Sequence, residues 1–321
     1  MERTTICLVA EVALLCTSFA FDKLLGDPPS KYHPVVWIGW LIGKLKFLNK
    51  GSSRRRRFLG VLVALTVVAA FSLPVFLLLN CLMTIHLLAY ILIGGLIFKF
   101  TFAFRSLSDY TRPIAEALKK GNLEEARRFI PFIARRDPSK LSSELIASAA
   151  VESIAESTVD GITSPLLYFS LFGVPGACAF RAVNTLDSML GYKTSELKDF
   201  GWFSARLDTA LNFLTSRITA LIMVLTAKLL GLDARNGLKI ALRDHSKTES
   251  LNAGWPMSTM AGILGVRLVK QGFYELGDPL NPLQPDHILK AIKVMRMTVL
   301  LYVIIICLPL LTLRCMIISS W

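Results

Sequence analysis

The chain has 321 residues, and its 36 Lys and Arg against 23 Asp and Glu leave a net charge of +13. It is nonetheless 53% hydrophobic and only 18% charged, with a mean hydropathy of +0.54. A soluble chain this basic would be hydrophilic, so the composition excludes a disordered or collagen-like chain and argues against nucleic acid as a partner. It describes an all-α, polytopic integral membrane protein of about six spans, with helical cytoplasmic loops and the lipid bilayer as its solvent.

The N-terminal segment, Thr4 to Phe21, is apolar apart from Glu11. Ser18-Phe19-Ala20 has the small-x-small form of a signal-peptide cleavage site. Glu11 interrupts the apolar region, however, and Arg3 alone precedes it, so the segment reads as a retained span over 4–21. An intramembrane carboxylate is either a site or the partner of a neighbouring helix. The loop 23–57 is basic and ends in the run Arg54 to Arg57, a stop signal suited to anionic lipid.

Phe58 to Phe98 is a run of 41 residues without Lys, Arg, Asp or Glu. As one helix it would measure about 62 Å, roughly twice the hydrocarbon thickness. It reads as two spans, 58–79 and 81–103, turning around Asn80, with Pro74 kinking the first. The basic loop 104–162 reads as three helices: one capped by Ser108 or Asp109 and stopping at Gly121, one capped by Asn122, and one capped by Ser142 or Ser143. No second copy of the helix pair occurs at a fixed period, which excludes a repeat protein.

Residues 163–190 are apolar until Arg181 but interrupted by Gly173-Val174-Pro175-Gly176, a pattern that suits two half-helices lining a cavity as well as one span. Segment 205–231 carries Arg206, Asp208, Asn212 and Arg217 on its first half, so that half should face protein or water. A third basic stretch, 232–296, precedes a last span over 297–318, near whose end Arg314 can snorkel. The positive-inside rule puts 23–57, 104–162 and 232–296 in the cytoplasm of a multi-pass cell-membrane protein, a single membrane-embedded catalytic domain over 1–321. A simple six-span count places residues 184–193 outside, so 163–190 is expected to be broken or re-entrant. The six cysteines show no C-x-x-C spacing and lie in apolar stretches, as buried free thiols would, and the four histidines are too scattered for a metal cage.

Three polar clusters could carry chemistry. Glu144, Ser148, Glu152, Glu156 and Asp160 recur every fourth residue, so Glu152, Glu156 and Asp160 share one stripe of a helix that is otherwise small and apolar. The stripe is either a solvated face or a set of oxygen ligands for Mg²⁺. Arg181, Asn184, Asp187 and Ser188 share a second face, which Gly191-Tyr192-Lys193 follows. Arg243 to Pro256 is dense in donors for phosphate: Arg243 and Lys247 supply charge, Asn252 and Gly254 an open backbone, and Trp255 a flat apolar wall. A basic juxtamembrane loop gripping anionic lipid would share that composition. No Walker A loop or G-x-G-x-x-G is present.

Several blocks together carry a resemblance. Leu25-Gly26-Asp27-Pro28-Pro29 with His33-Pro34-Val35, then Glu152 to Pro165, Asn184-Thr185-Leu186-Asp187-Ser188-Met189 and Asn252-Ala253-Gly254-Trp255-Pro256 occur in the order found in the adenosylcobinamide-phosphate synthase family, which the chain resembles from about residue 20 to about residue 280. One departure is visible: Asn often follows the second glutamate of E-x-x-x-E in that family, and here Ser157 stands there. The resemblance implies a carbon–nitrogen ligase of cobalamin biosynthesis, joining adenosylcobyric acid to (R)-1-amino-2-propanol phosphate or ethanolamine phosphate with ATP consumed. On that reading Glu152, Glu156 and Asp160 hold Mg²⁺, Arg181, Asn184, Lys193, Arg243, Lys247, Asn252, Gly254 and Trp255 bind substrate and phosphates, and Asp187 is the base. The site would open to the cytoplasm, beside other membrane enzymes of the corrinoid pathway. The competing class is a membrane transporter or a scaffold for those enzymes.

Overall fold

The computed structural model describes residues 2–192 and 194–320. In chain order the helices are α1 (Glu2–Leu25), α2 (Pro34–Leu45), α3 (Ser53–Ile85), α4 (Leu87–Lys99), α5 (Phe104–Lys119), α6 (Leu123–Ile133), α7 (Ser143–Thr158), α8 (Ser164–Leu190), α9 (Trp202–Leu229), α10 (Ala234–Asp244) and α11 (Gly254–Leu264). A two-stranded antiparallel hairpin follows, β1 (Leu268–Lys270) and β2 (Tyr274–Leu276), pairing Val269 with Glu275. The chain then forms α12 (Pro285–Tyr302) and α13 (Leu308–Ser319). Six helical stretches are long and apolar enough to cross a membrane: Arg3–Leu25, Ser53–Ile85, Leu87–Lys119, Ser143–Leu190, Trp202–Leu229 and Pro285–Ser319. The protein is a polytopic helical membrane protein. The hairpin is an element that the helical periodicity of the sequence did not announce.

The chain divides into two compact units: Met1–Phe102, Ser164–Leu211 and Ile304–Trp321 form the first, Ala103–Thr163 and Asn212–Val303 the second. In the first unit Ile38 and Ile42 of α2 meet Val63, Ala64 and Val67 of α3 and Ala182, Leu186 and Leu190 of α8. The other faces of α3 leave Leu62, Leu65, Leu73, Phe76, Leu77 and Leu78 exposed, which water would penalise and acyl chains do not. α1 packs against α4 and α13. The α1–α4 contact depends on two glycines: a Cβ on Gly94 would come within 2.6 Å of Leu14 Cδ1, and one on Gly95 within 2.9 Å of Thr17 Cγ2. Small residues at such a contact let two backbones approach where no hydrophobic effect drives helices together.

Two expected boundaries move. The break between the second and third spans falls at His86 rather than at Asn80, which stays inside α3. A turn at mid-depth would strip backbone groups of partners with no water to replace them. At His86 the loss is repaired locally, because its Nδ1 accepts a hydrogen bond from the Ala89 N–H at 3.3 Å and caps α4. Pro74 is accommodated within α3. In the second unit α5 starts at Phe104, not at Ser108 or Asp109. The Ala103 N–H donates to Gly161 O at 2.9 Å, so a tertiary contact fixes the start and Ser108 becomes a buried mid-helix residue. Asn122 and Ser142 do cap α6 and α7. The interruption of α8 falls at Gly173, whose φ of 71° lies in the left-handed region open to glycine.

The core of the second unit is α7, whose residues Ile146 to Ala155 are buried throughout, packed by α5, α6, α11, α12 and β1. Gly95→Val should lower the thermal unfolding midpoint of the detergent-solubilised protein by roughly 3–10 °C, as overpacking of about 1–3 kcal/mol does. Gly43→Ala, where a Cβ meets nothing within 4 Å, should leave it unchanged or raise it. Equal midpoints for both variants would mean that the α1–α4 contact is not close-packed.

Candidate functional site

Polar side chains of the first unit gather where several helices end. α4 terminates in Lys99, which is 1% exposed. Its ammonium donates to Gly26 O at 2.5 Å and to Asp27 Oδ1 at 2.9 Å. His33 caps α2, its Nδ1 accepting from the Val35 N–H at 3.2 Å, and lies edge-on to Phe100 with ring centroids 5.8 Å apart. Burial lowers the His33 pKa; Asp27 opposes this, and Lys99 and Arg181 add to it. The imidazole is therefore neutral near pH 7, as an acceptor at a helix cap must be. On α8, Arg181 donates through Nε to Thr101 O at 2.8 Å and through Nη1 to Asn184 Oδ1 at 3.2 Å, and the Asn184 amide donates to Asp208 Oδ1 at 3.3 Å. Asp187 follows, half-buried, one turn further along α8. Arg181 and Thr101 also border an apolar cavity of about 250 Å³ whose other walls include Trp37, Ile38, Phe71, Pro74 and Phe100. The arrangement offers the Arg181 guanidinium beside an apolar recess, able to receive an anion attached to a hydrophobic body.

In the second unit the acidic stripe is not one site. Glu152 is 3% exposed, and both its oxygens are engaged. Oε1 accepts from Ser148 Oγ at 2.6 Å; Oε2 accepts from Arg136 at 2.5 Å and from the Tyr274 hydroxyl at 2.7 Å. Arg136 also donates to Val269 O, and Ser148 Oγ accepts from the Val269 N–H. Glu152 thus pins the β1–β2 hairpin to α7. Burial and the neighbouring Glu152 charge raise the Tyr274 pKa, keeping its hydroxyl a donor. Glu156, one turn on, is exposed, and Asp160 lies half-buried in a π-helical turn, Val159–Thr163. Among the described residues no three His, Cys, Asp or Glu side chains converge as a metal set. Glu156 and Asp160 remain a pair at i,i+4, and two carboxylates suit an Mg²⁺ ion whose other ligands are phosphates and water.

Arg243 and Lys247 converge on Asp244, whose side chain is fully buried. Arg243 meets both Asp244 oxygens at 2.7 and 2.8 Å and chelates Asp278 at 2.9 and 3.0 Å; Lys247 lies 2.6 Å from Asp244, and the Gly277 N–H donates to it at 2.8 Å. Asn252 Oδ1 accepts from Arg217 at 3.1 Å. A Cβ on Gly254 would come within 1.9 Å of His245 O, so glycine is required for close approach. Trp255 is not an open wall: His245 stacks on it at 4.1 Å, and the Arg217 guanidinium lies 5.3 Å from its ring centroid.

The first unit therefore holds Arg181, Asn184 and Asp187; the second holds Glu152, Glu156, Asp160, Arg243, Lys247, Asn252, Gly254 and Trp255. Lys193 lies outside the described residues. Asp208 lies on the polar half of 205–231 that the sequence sets against protein or water, and Asn184 meets it there; Lys99, Arg136, Tyr274 and Asp278 were not anticipated. Lys99 carried the one available signal, a single charge closing a 41-residue uncharged run.

A family model described as CobD/Cbib protein matches residues 15–295. The chain belongs to the CobD/Cbib protein family. It is 39% identical over 294 residues, 92% of this chain and 96% of the relative, to "Probable cobalamin biosynthesis protein CobD" of Methanothermobacter thermautotrophicus. It is 40% identical over 273 residues to "Cobalamin biosynthesis protein CobD" of Dehalococcoides mccartyi, covering 84% of this chain and 88% of that one. With the protein of the same name from Geobacter metallireducens it shares 40% identity over 279 residues, 84% of this chain and 88% of the relative. No solved structure matches. CobD/Cbib proteins are thus a family of cobalamin biosynthesis, and this member is built on membrane-spanning helices.

In this CobD/Cbib chain the Asp244 network makes a stability prediction. Burial alone would raise the Asp244 pKa, but hydrogen bonds from Arg243, Lys247 and the Gly277 N–H outweigh it and hold the carboxyl well below the usual range. A depressed folded pKa contributes stability that is fully present above the unfolded value of about 4 and lost as pH falls below it. Asp244→Asn should cost about 3 kcal/mol at neutral pH. Unfolding midpoints measured from pH 7 to pH 3 should fall less steeply in the variant than in the wild type; parallel curves would show that the carboxylate is not stabilised as described.

Proposed function

We propose that the protein is an adenosylcobinamide-phosphate synthase, joining a propionate carboxylate of adenosylcobyric acid to the amine of (R)-1-amino-2-propanol phosphate or ethanolamine phosphate, with ATP as co-substrate. The observation that carries this reading is the family match over residues 15–295, taken with relatives named for cobalamin biosynthesis. The geometry supports it. A carboxylate and an amine do not condense unaided in water, so the acid must be activated: its oxygen takes the γ-phosphoryl group of ATP, ADP leaves, and an acyl phosphate results. The amine nitrogen then attacks the acyl carbon, inorganic phosphate departs, and the proton lost from nitrogen goes to a base.

Three phosphorylated species meet in such a site, and preorganised cations stabilise the charge that moves between them. Arg181, with Asn184 orienting its guanidinium, is positioned for a phosphate group; Lys193 follows in the same block. Asp187 is the base. Arg243 and Lys247 keep side chains 39% and 45% exposed while holding Asp244, and together they form a second, pre-ordered cationic surface suited to phosphate. Glu156 and Asp160 would hold Mg²⁺, which supplies charge neutralisation on phosphate. Glu152 acts on the same helix as a positioning residue, since its oxygens are taken by Arg136, Tyr274 and Ser148. The site faces the cytoplasm, where the basic loops lie under the positive-inside rule.

Asp160→Asn should lower kcat at least tenfold with little change in unfolding midpoint, whereas Glu152→Gln should lower both. Equal, wild-type turnover in the two variants at saturating Mg²⁺ would remove the acidic helix from the site. The reaction is tested with purified protein in detergent, adenosylcobyric acid, ATP, Mg²⁺ and either amino-alcohol phosphate. Mass spectrometry should show a corrinoid heavier by the amine less one water. Absence of product with both amines, or movement of a corrinoid into proteoliposomes without chemical change, would overturn the ligase in favour of transport.

A further inference from the structure

We propose that Cys7 and Cys315 form a disulfide that fastens α1 to α13. The two sulfurs, 308 positions apart in sequence, lie 2.6 Å from each other in the first unit. A bonded pair sits at about 2.05 Å, so bond formation asks for a shift of roughly half an ångström. The approach is not an isolated accident of two side chains. Cys7 and Glu11 stand at i and i+4 on one face of α1, and Arg314 and Cys315 are neighbours on α13. Arg314 pairs with Glu11 at 2.7 Å, and Tyr90 donates to the other Glu11 oxygen at 2.7 Å. Paired charges in an apolar surrounding are directional and costly to separate, so this network sets the register of α1 against α13. That register delivers the two thiols to each other.

The position suits the chemistry. Cys7 lies in the second turn of α1 and Cys315 in the second-last turn of α13, next to the two chain ends. The far end of α1 runs into the basic stretch 23–57, and the basic stretch 232–296 leads into the span that ends in α13, so the charge rule puts Cys7 and Cys315 toward the face opposite the basic loops. That is the extracytoplasmic side, where disulfides form and persist. Cys7 is 8% exposed and Cys315 fully covered, which assigns an order. The co-reactant is a disulfide-bearing oxidant. Cys7, deprotonated, attacks one sulfur of that oxidant, forming a mixed disulfide and releasing the other sulfur as a thiol. Cys315, deprotonated, then attacks Cys7 Sγ, and the second oxidant sulfur leaves as a thiol. Two thiols are oxidised to one S–S bond, and one oxidant disulfide is reduced to two thiols. Among the other cysteines, Cys16 and Cys81 are exposed, Cys178 is half-buried and Cys307 is buried; they serve as internal controls.

The test uses the full-length wild-type protein. Cells are quenched in acid, and free thiols are blocked with N-ethylmaleimide in denaturant. The protein is then reduced and labelled with iodoacetamide, and mass spectrometry reads which label each cysteine carries. Cys7 and Cys315 should carry predominantly the second label, and Cys16, Cys81, Cys178 and Cys307 the first. In Cys7→Ser, Cys315 should revert to the first label, which separates mutual pairing from a mixed adduct with a small thiol. Cys7 and Cys315 carrying mainly the first label in the wild type would overturn the proposal. So would Cys315 keeping the second label in Cys7→Ser, or a dimer band that disappears on reduction.

Discussion

A charge inside a bilayer must bring its partner with it, and the arrangement of the first unit follows from that requirement. Glu11 on α1 is answered by Arg314 on α13 and by Tyr90 on α4, and Arg314 also donates to Phe169 O on α8. One buried ion pair therefore draws on four helices from distant parts of the chain. Lys99 repeats the device at the end of α4, where Gly26 O and Asp27 take up its ammonium. Hydrophobicity cannot supply such specificity in lipid, because a Leu gains nothing by leaving acyl chains for another helix. Close glycine contacts at Gly94 and Gly95 let the helices approach, and the charges decide which helices they are.

The second unit solves a related problem with different means. Its loops are strongly basic, and several cations are directed inward by buried carboxylates. Asp244 draws in Arg243 and Lys247, Glu152 draws in Arg136, and in the first unit Asp199 holds Arg56 and Arg57 from the tetra-arginine run. Each carboxylate orients cations that a flexible loop would leave disordered. The proposed phosphate-handling surface would benefit directly, since a guanidinium already held in place loses little entropy when an anion arrives.

What the sequence disclosed divides by the range of the interaction. The six spans were legible because an apolar run needs only its own composition and length, and Asn122 and Ser142 were legible as caps because a cap bonds its own next turn. Asn80 misled because an isolated amide resembles a turn, whereas the backbone of a buried turn needs a replacement partner, and His86 had one. The acidic stripe was visible at i+4, but the partners that remove Glu152 from it lie 16 residues before it and 122 residues after it. Trp255 looked available in the sequence, and only folding places His245 and Arg217 against it. The short strands of the β1–β2 hairpin fall below any periodicity, so Tyr274 could not be associated with Glu152 beforehand.

The charge balance supplies the last step. With 36 basic and 23 acidic residues, even complete pairing of every carboxylate would leave a cationic surplus of 13, and that surplus is concentrated in the segments outside the spans. Lipid headgroups can absorb part of it at about 1 kcal/mol per cation, whatever its position. They give no reason for Asn184 to bridge Arg181 to Asp208, or for Arg243 to be held between two aspartates. Fixing a cation that closely costs side-chain entropy, and a diffuse lipid attraction returns nothing for it. A discrete anion of defined geometry does, because it meets donors already aligned. On the proposed ligase reading, the cations fixed in this way would serve ligand chemistry, and the remaining exposed ones the membrane surface.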